Sequence, residues 1–275
     1  MTALPRIPHP SDTAPDNMAP AVRTAAGRLP QAVLRPVRDG NAYEATVEQL
    51  ATSVRLGVFA SGDRLPPERE LAETLAVSRT TLREAIAALR EAGMVQTSRG
   101  RGGGTVVTYR APVPGSQAPQ RRQRSEPQPV ALEDAASDEA RADVLDFRRV
   151  VEPGAAALAA SRGLTADQRA WLVASRAQVE SAAGVAEHRQ ADSRLHLAIA
   201  AVCGSDLLLA SVTQVQGLLH QMLTAIPVLA PNIAHSSAQH RLVVDAILAG
   251  DPIAARAAME DHCDATSALL RGLLG

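Results

Sequence analysis

GDRLPPERELAETLAVSRTTLREAIAALREAGMV, residues 62–95, packs two short helical patterns back to back, with only Val77 and Ser78 between them. Pro67 opens the first, because a proline at the first helical position gives up an N–H that has no partner there. Glu68 and Glu70 suit its first turn, where the helix dipole favours negative charge, and the pattern runs through Ala76. Ser78 then offers a hydroxyl as N-cap to a second helix that ends near Gly93. Upstream, Tyr43 to Val58 reads as a helix with Val47, Leu50, Ala51 and Val54 inward, joined by the Gly/Pro turn ASGDRLPPE. Downstream, MVQTSRGRGGGTVVTY reads as a strand, a Gly/Arg tip and a second strand. Helix, turn, helix and hairpin in that order predict a winged helix-turn-helix over residues 41–109.

The second helix of that pair begins SRTT. Its first turn presents hydroxyls, a guanidinium and unpaired backbone N–H groups, a combination that attracts phosphate. A recognition helix reads base edges from this end. Arg79 and Arg83 are four residues apart and share a face; each can pair bidentately with guanine or clamp a phosphate. Arg99 and Arg101 flank Gly100 at the wing tip, and Arg69 can reach a phosphate from the preceding helix. An Arg/Glu-rich helix alone is an ordinary solvated surface. The ordered set of elements with an Arg-tipped wing points instead to double-stranded DNA.

Charge divides the chain in the same place. Residues 1–132 carry 17 arginines against 12 acidic residues, whereas residues 133–275 carry 11 against 17, under a net charge of −1. The first half suits a polyanion and the second half does not. Apolar residues reach 46% but aromatics only 2%, so the core is built from Ala, Leu, Val and Ile, as in closely packed helices. No apolar run approaches the ~20 residues that span a bilayer, and no secretory leader is evident. Cys203 and Cys263 form no CxxC motif. A soluble cytoplasmic chain without a membrane partner is expected. Residues 1–40 read as a disordered tail and residues 110–132 as a Pro/Gln/Arg linker. Residues 133–275 read as about six helices, broken at Gly163, Gly184, Gly204, Pro227, Pro231 and Gly250. The fold class is mainly α: a winged helix-turn-helix followed by an all-α bundle.

Polar residues interrupt the apolar faces of that bundle. Asp192 and His196, four apart, share a stripe with Leu195, Ile199 and Cys203. His240 shares one with Val243, Val244 and Ile247, and His262 one with Ala255, Ala258, Met259, Thr266 and Leu269. Three neutral imidazoles and a carboxylate form an N3O set suited to Zn²⁺, and also to Ni²⁺, Mn²⁺ or Fe²⁺. Spacing alone supports ordinary core histidines equally well. His188, beside a helix start, and His235, in a connector, read as solvated. His220 shares a polar strip with Thr213, Gln216 and Thr224 that suits a pocket wall. Arg148 and Glu152, again four apart, read either as a buried ion pair or as a grip on a carboxylate ligand, with Glu152 orienting Arg148 or a ligand histidine.

The segment beginning at Gly62 and closing on GRGGG resembles the N-terminal domain of GntR-family bacterial transcription regulators over about residues 42–108. The resemblance implies operator contacts from Arg69, Ser78, Arg79, Thr80, Thr81, Arg83, Arg99 and Gly100, and a homodimer on a short palindrome. The wing departs from many relatives by carrying an extra small residue. VLDFRRVVEPGAAALAA, HLAIAAVCGSDLLL and HRLVVDAILAGDPIAARAAMEDH are similar to the all-helical effector domain of the FadR-like branch, termed FCD, over about residues 138–272. Metal-binding members pair an Asp-x3-His on one helix with a His on each of two later helices, a pattern that Asp192, His196, His240 and His262 match. The resemblance further implies a small carboxylate effector near the metal, with Arg148 in the pocket. The expected function is that of a ligand-responsive regulator, a repressor rather than an enzyme. Two rival readings are a metalloenzyme fused to a DNA-binding domain, for which no general base stands out, and a metal that is purely structural or is itself the signal.

Overall fold

The computed structural model describes residues 29–37, 42–98, 104–110, 137–227 and 230–274. Its N-terminal elements are α1 (Leu29–Val33), α2 (Ala42–Arg55), α3 (Glu68–Leu75), α4 (Arg79–Glu91), β1 (Val95–Ser98) and β2 (Gly104–Val107). The strands pair antiparallel from Val95 opposite Val107 to Ser98 opposite Gly104, and Arg64 bridges Val106. Leu50, Val54, Leu71, Leu75, Leu82, Ile86, Leu89, Val95 and Val107 form the buried core of this winged helix-turn-helix. The wing tip, with Arg99, Gly100 and Arg101, lies outside the described residues.

Two boundaries shift from expectation. Pro67 is the N-cap of α3, with an extended ψ of 141°, rather than its first helical residue. The helix expected from Tyr43 to Val58 ends at Arg55, because the chain turns at Gly57 with φ +71°. Leu56 and Val58 then leave the first core and join the second.

The second unit is the six-helix bundle expected: α5 (Asp138–Ser161), α6 (Ala166–Ser181), α7 (Val185–Val202), α8 (Asp206–Thr224), α9 (Ala230–Ala249) and α10 (Pro252–Leu274). Local chemistry sets its ends. Thr165 and Gln168 form a capping box for α6. Ser205 caps α8 by accepting from Leu208 N. Asp251 accepts from Ile253 N and Ala254 N ahead of Pro252, which starts α10. Helix α5 packs on α7, α8, α9 and α10. Its Ala155, Ala156, Ala159 and Ala160 are buried, and such small side chains let helix axes approach closely.

Residues 29–37 do not behave as the disordered tail that composition suggests. Leu29 and Val33 enter the core of the bundle, while Leu34 enters that of the first unit. Val37 N donates to Leu75 O at 2.8 Å and Arg35 N to Gln49 Oε1 at 3.0 Å. A five-residue helix has no sequence period to detect; long-range docking stabilises it. Residues 1–28 of the expected tail and 111–132 of the expected linker lie outside the described residues.

Candidate metal centre, pocket and nucleic-acid interface

Three helices bring His196 (α7), His240 (α9) and His262 (α10) together in the bundle. All three are buried, and one ring nitrogen from each falls within 4.8 Å of the others. Asp192, one turn before His196 on α7, places Oδ1 3.4 Å from His240 Nε2 and Oδ2 3.9 Å from His196 Nε2. The three histidines are thus grouped in the bundle interior, with Asp192 beside two of them. Their arrangement is costly as it stands. His196 Nε2, both ring nitrogens of His240 and Nδ1 of His262 are buried without a hydrogen-bond partner among the described residues. Buried polar atoms are normally satisfied, and a set of four that is not suits an ion or ligand.

Burial holds the His240 imidazole down at about 4, against the pull of Asp192. It also holds His262 well below the ordinary value, with His240 and Arg148 adding to the effect. At neutral pH these rings carry free lone pairs, the form a metal needs. The donor set, the low pKa of His240 and His262 and the unpartnered nitrogens all fit a divalent cation.

Glu152 ties this cluster to Arg148. The carboxylate accepts from Arg148 Nε at 3.1 Å and from Gln216 Nε2 at 2.6 Å. Its Oε2 stands 2.9 Å from His196 Nδ1. Burial alone would raise its pKa, yet Arg148, His196 and Gln216 together hold it at about 2. Of the two sequence readings of this pair, the structure shows the buried ion pair. Arg148 is in a buried ion pair, and its Nη1 remains buried without a partner among the described residues.

A cavity of about 340 Å³ opens beside the cluster, lined by Arg148, Asp192 and His262 among others. Sequence reasoning missed Arg189, Asn232, Ser236 and Gln239 on its wall. Asn232, Ser236 and Gln239 recur at helical spacing, but Pro231 was expected to break the chain there. It sits in the first turn of α9, where no N–H is required of it. For the same reason His235 is on that helix and lines the cavity rather than lying in a connector. His188 also lines it, with Nδ1 3.2 Å from Val179 O. His220 is buried on α8, near Gln216 on the same face.

On the first unit, Arg69, Ser78, Arg79, Thr80 and Arg83 are exposed and Thr81 half-buried. Ser78 Oγ accepts from Thr81 N at 3.0 Å, the N-cap expected of it, and lies 2.8 Å from Thr81 Oγ1. Arg83 Nε donates to Glu68 at 2.7 Å and Arg69 to Glu73 at 3.1 Å.

The chain matches two family descriptions: bacterial regulatory proteins, gntR family, at residues 42–107, and FCD domain, at residues 143–265. An Escherichia coli K12 protein whose name assigns it to regulation of the L-lactate dehydrogenase operon is 32% identical over 209 residues, covering 74% of this chain and 76% of that one. The Glc operon transcriptional activator of the same organism is 28% identical over 233 residues, covering 80% and 85%. A Mycobacterium gastri regulator, RmpR, is 50% identical over 64 residues, 23% of each chain. The solved structure of E. coli McbR/YncC shares the fold, with a TM-score of 0.50 at 18% identity over 85% of this chain and 99% of that one. None of the described helices is long and apolar enough to cross a membrane. The chain belongs to the GntR family of bacterial regulatory proteins and is a DNA-binding transcription regulator with an FCD effector domain.

Proposed function

We propose that this regulator binds a palindromic operator as a homodimer, acts as a repressor, and senses a small organic acid through a metal-containing bundle. The observation that carries the reading is the cluster of three buried imidazoles with unpartnered ring nitrogens beside a cavity that His262 lines. Asp192, His196, His240 and His262 would hold the cation, Zn²⁺ foremost, with Ni²⁺, Mn²⁺ or Fe²⁺ also suited. Bound there, the cation supplies a Lewis-acid site for a carboxylate oxygen. Arg148 supplies a second donor through its unpartnered Nη1, and Glu152 orients both Arg148 and His196. Carboxylate-oriented histidines of this kind are the usual support of metal ligands.

Helix α7 supports the link to DNA. One face carries Asp192 and His196. Another carries Gln190, whose Nε2 donates to Arg55 O at 3.5 Å, and Arg194, whose Nη1 donates to Gly57 O at 3.4 Å. A ligand that shifts α7 moves the base of the winged helix-turn-helix with it. Operator contacts are assigned to Arg69, Arg79, Thr80, Thr81 and Arg83, to Ser78 through its cap, and to Arg99 and Gly100 on the wing. The homodimer is supported by α5, where Phe147 and Val150 are exposed and Gly154 and Ala157 continue the same face with little bulk.

The test is reciprocal coupling. The zinc-loaded protein, titrated with small organic acids with and without operator DNA, is expected to show an acid whose affinity changes on DNA, with the operator affinity changing by the same factor. Equal acid affinity in both states would overturn the sensing role.

A further inference from the structure

The pocket carries one more cation than a single carboxylate can neutralise. Arg189 lies on α7 three residues before Asp192, about 4.5 Å along the helix axis, and both line the cavity. Its Nη2 donates to Ile226 O at 3.2 Å. Its Nη1 is buried with no hydrogen-bond partner among the described residues, and the residue is only 8% exposed. Arg148 has Glu152 as counter-ion at 3.1 Å; Arg189 has no carboxylate within ion-pair distance among the described residues. Burying an uncompensated guanidinium is costly, so the site suits an anion that the described residues do not provide.

Charge accounting gives that anion's valence. Arg148 and Glu152 cancel, and an imidazole that ligates a metal does so in its neutral form. A divalent cation held by Asp192 leaves one positive charge, and Arg189 adds another. A monocarboxylate would leave one of these two charges unmatched; a dianion matches both. Leu219, Leu223 and Leu269 also line the cavity, an apolar wall that suits a short methylene chain. Arg189 and Asp192 are one turn apart on α7, about 4.5 Å along its axis, so the two positive poles are close enough for a short dicarboxylate to span.

We propose that Arg189 is the second anion anchor of the pocket and that the effector is a small dicarboxylate, one carboxylate at the metal and Arg148 and the other at Arg189. The proposal rests on the organic-acid reading above. It is tested on the full-length zinc-loaded protein by calorimetric titration with succinate, glutarate and adipate, each against its monocarboxylate counterpart, butyrate, valerate or hexanoate. The best dicarboxylate is expected to bind about tenfold to a hundredfold more tightly than its counterpart, the range for a hydrogen bond to a charged group. Arg189→Gln is expected to erase that ratio while zinc content and monocarboxylate affinity stay as in the parent and the melting temperature does not fall, since a buried charge without a counter-ion is removed. Equal binding of both series, or an unchanged ratio in Arg189→Gln, overturns the proposal and leaves the organic-acid reading standing. If neither series binds while zinc is retained, the organic-acid reading falls as well.

Discussion

Glu152 Oε2 lies 2.9 Å from Nδ1 of His196, inside a core where neither residue meets water. The same oxygen accepts from Arg148, so one carboxylate braces a candidate metal ligand and a candidate effector ligand together.

Replacing that carboxylate by an amide separates shape from charge. Glu152→Gln is expected to lower zinc affinity about tenfold to a hundredfold, the usual cost of losing a supporting carboxylate. It also strands the buried Arg148 charge, so the apo protein is expected to lose about 3 kcal/mol or more of stability. Competition with a zinc-binding dye and a urea melt measure the two effects.

Gly57 sits where the two units meet. A methyl group there would lie 2.9 Å from Gln190 Cβ, at a φ of +71° that other residues seldom adopt. Gly57→Ala is expected to cost about 1–2 kcal/mol from the backbone alone and to loosen the docking on α7. Arg194→Ala is the gentler probe. It is expected to keep zinc binding and operator binding while shrinking the effect of the acid on operator affinity. Fluorescence anisotropy on labelled operator, with and without acid, reads the change.

Surface and cap residues should separate on DNA. Arg79→Ala is expected to cost about 1–3 kcal/mol of operator affinity and to relax discrimination at one base position. Arg69→Ala is expected to weaken all sequences alike and flatten the salt dependence. Ser78→Ala removes a cap whose hydroxyl already accepts from Thr81 N, so its main expected cost is about 1 kcal/mol of domain stability. Salt-dependent binding curves and thermal melts distinguish the three.

His220 predicts an acid limb in stability. Burial, helped by Arg189 and Arg55, holds its imidazole at about 4, below the ordinary 6.5. The unfolded chain takes up this proton first as pH falls. Its contribution is therefore complete above pH 6.5 and is lost as pH falls toward 4, reaching about 3 kcal/mol there. His220→Gln should flatten this limb relative to the parent in urea melts between pH 7 and pH 4. An identical slope in both proteins would remove the assignment.

Much of this was legible in local chemistry. Ser78 is the N-cap that its position before a helical pattern implies, and Asp192, His196, His240 and His262 share the inward faces that their spacing gives them. What local pattern cannot carry is contact at a distance. Leu29, Val33 and Leu34 look like tail residues because the surfaces that bury them lie elsewhere in the chain. Arg189 sits one turn from Asp192, yet only the fold reveals that its guanidinium is buried and lacks a counter-ion among the described residues. Pro231 concealed the polar row Asn232, Ser236 and Gln239, since a proline early in a helix and one that ends it look alike in sequence.

Metal content per chain tests the central claim most directly. Full-length protein is loaded with zinc, freed of loose metal by gel filtration and measured by elemental analysis beside His240→Ala and His262→Ala. About one zinc per chain is expected in the parent, as for a mononuclear histidine–carboxylate site. Less than about a tenth of that parent content is expected in each variant, with helical circular dichroism retained, because one of the four protein donors that define such a site is gone. Zinc at the parent level in both folded variants would contradict a metal centre built on these histidines.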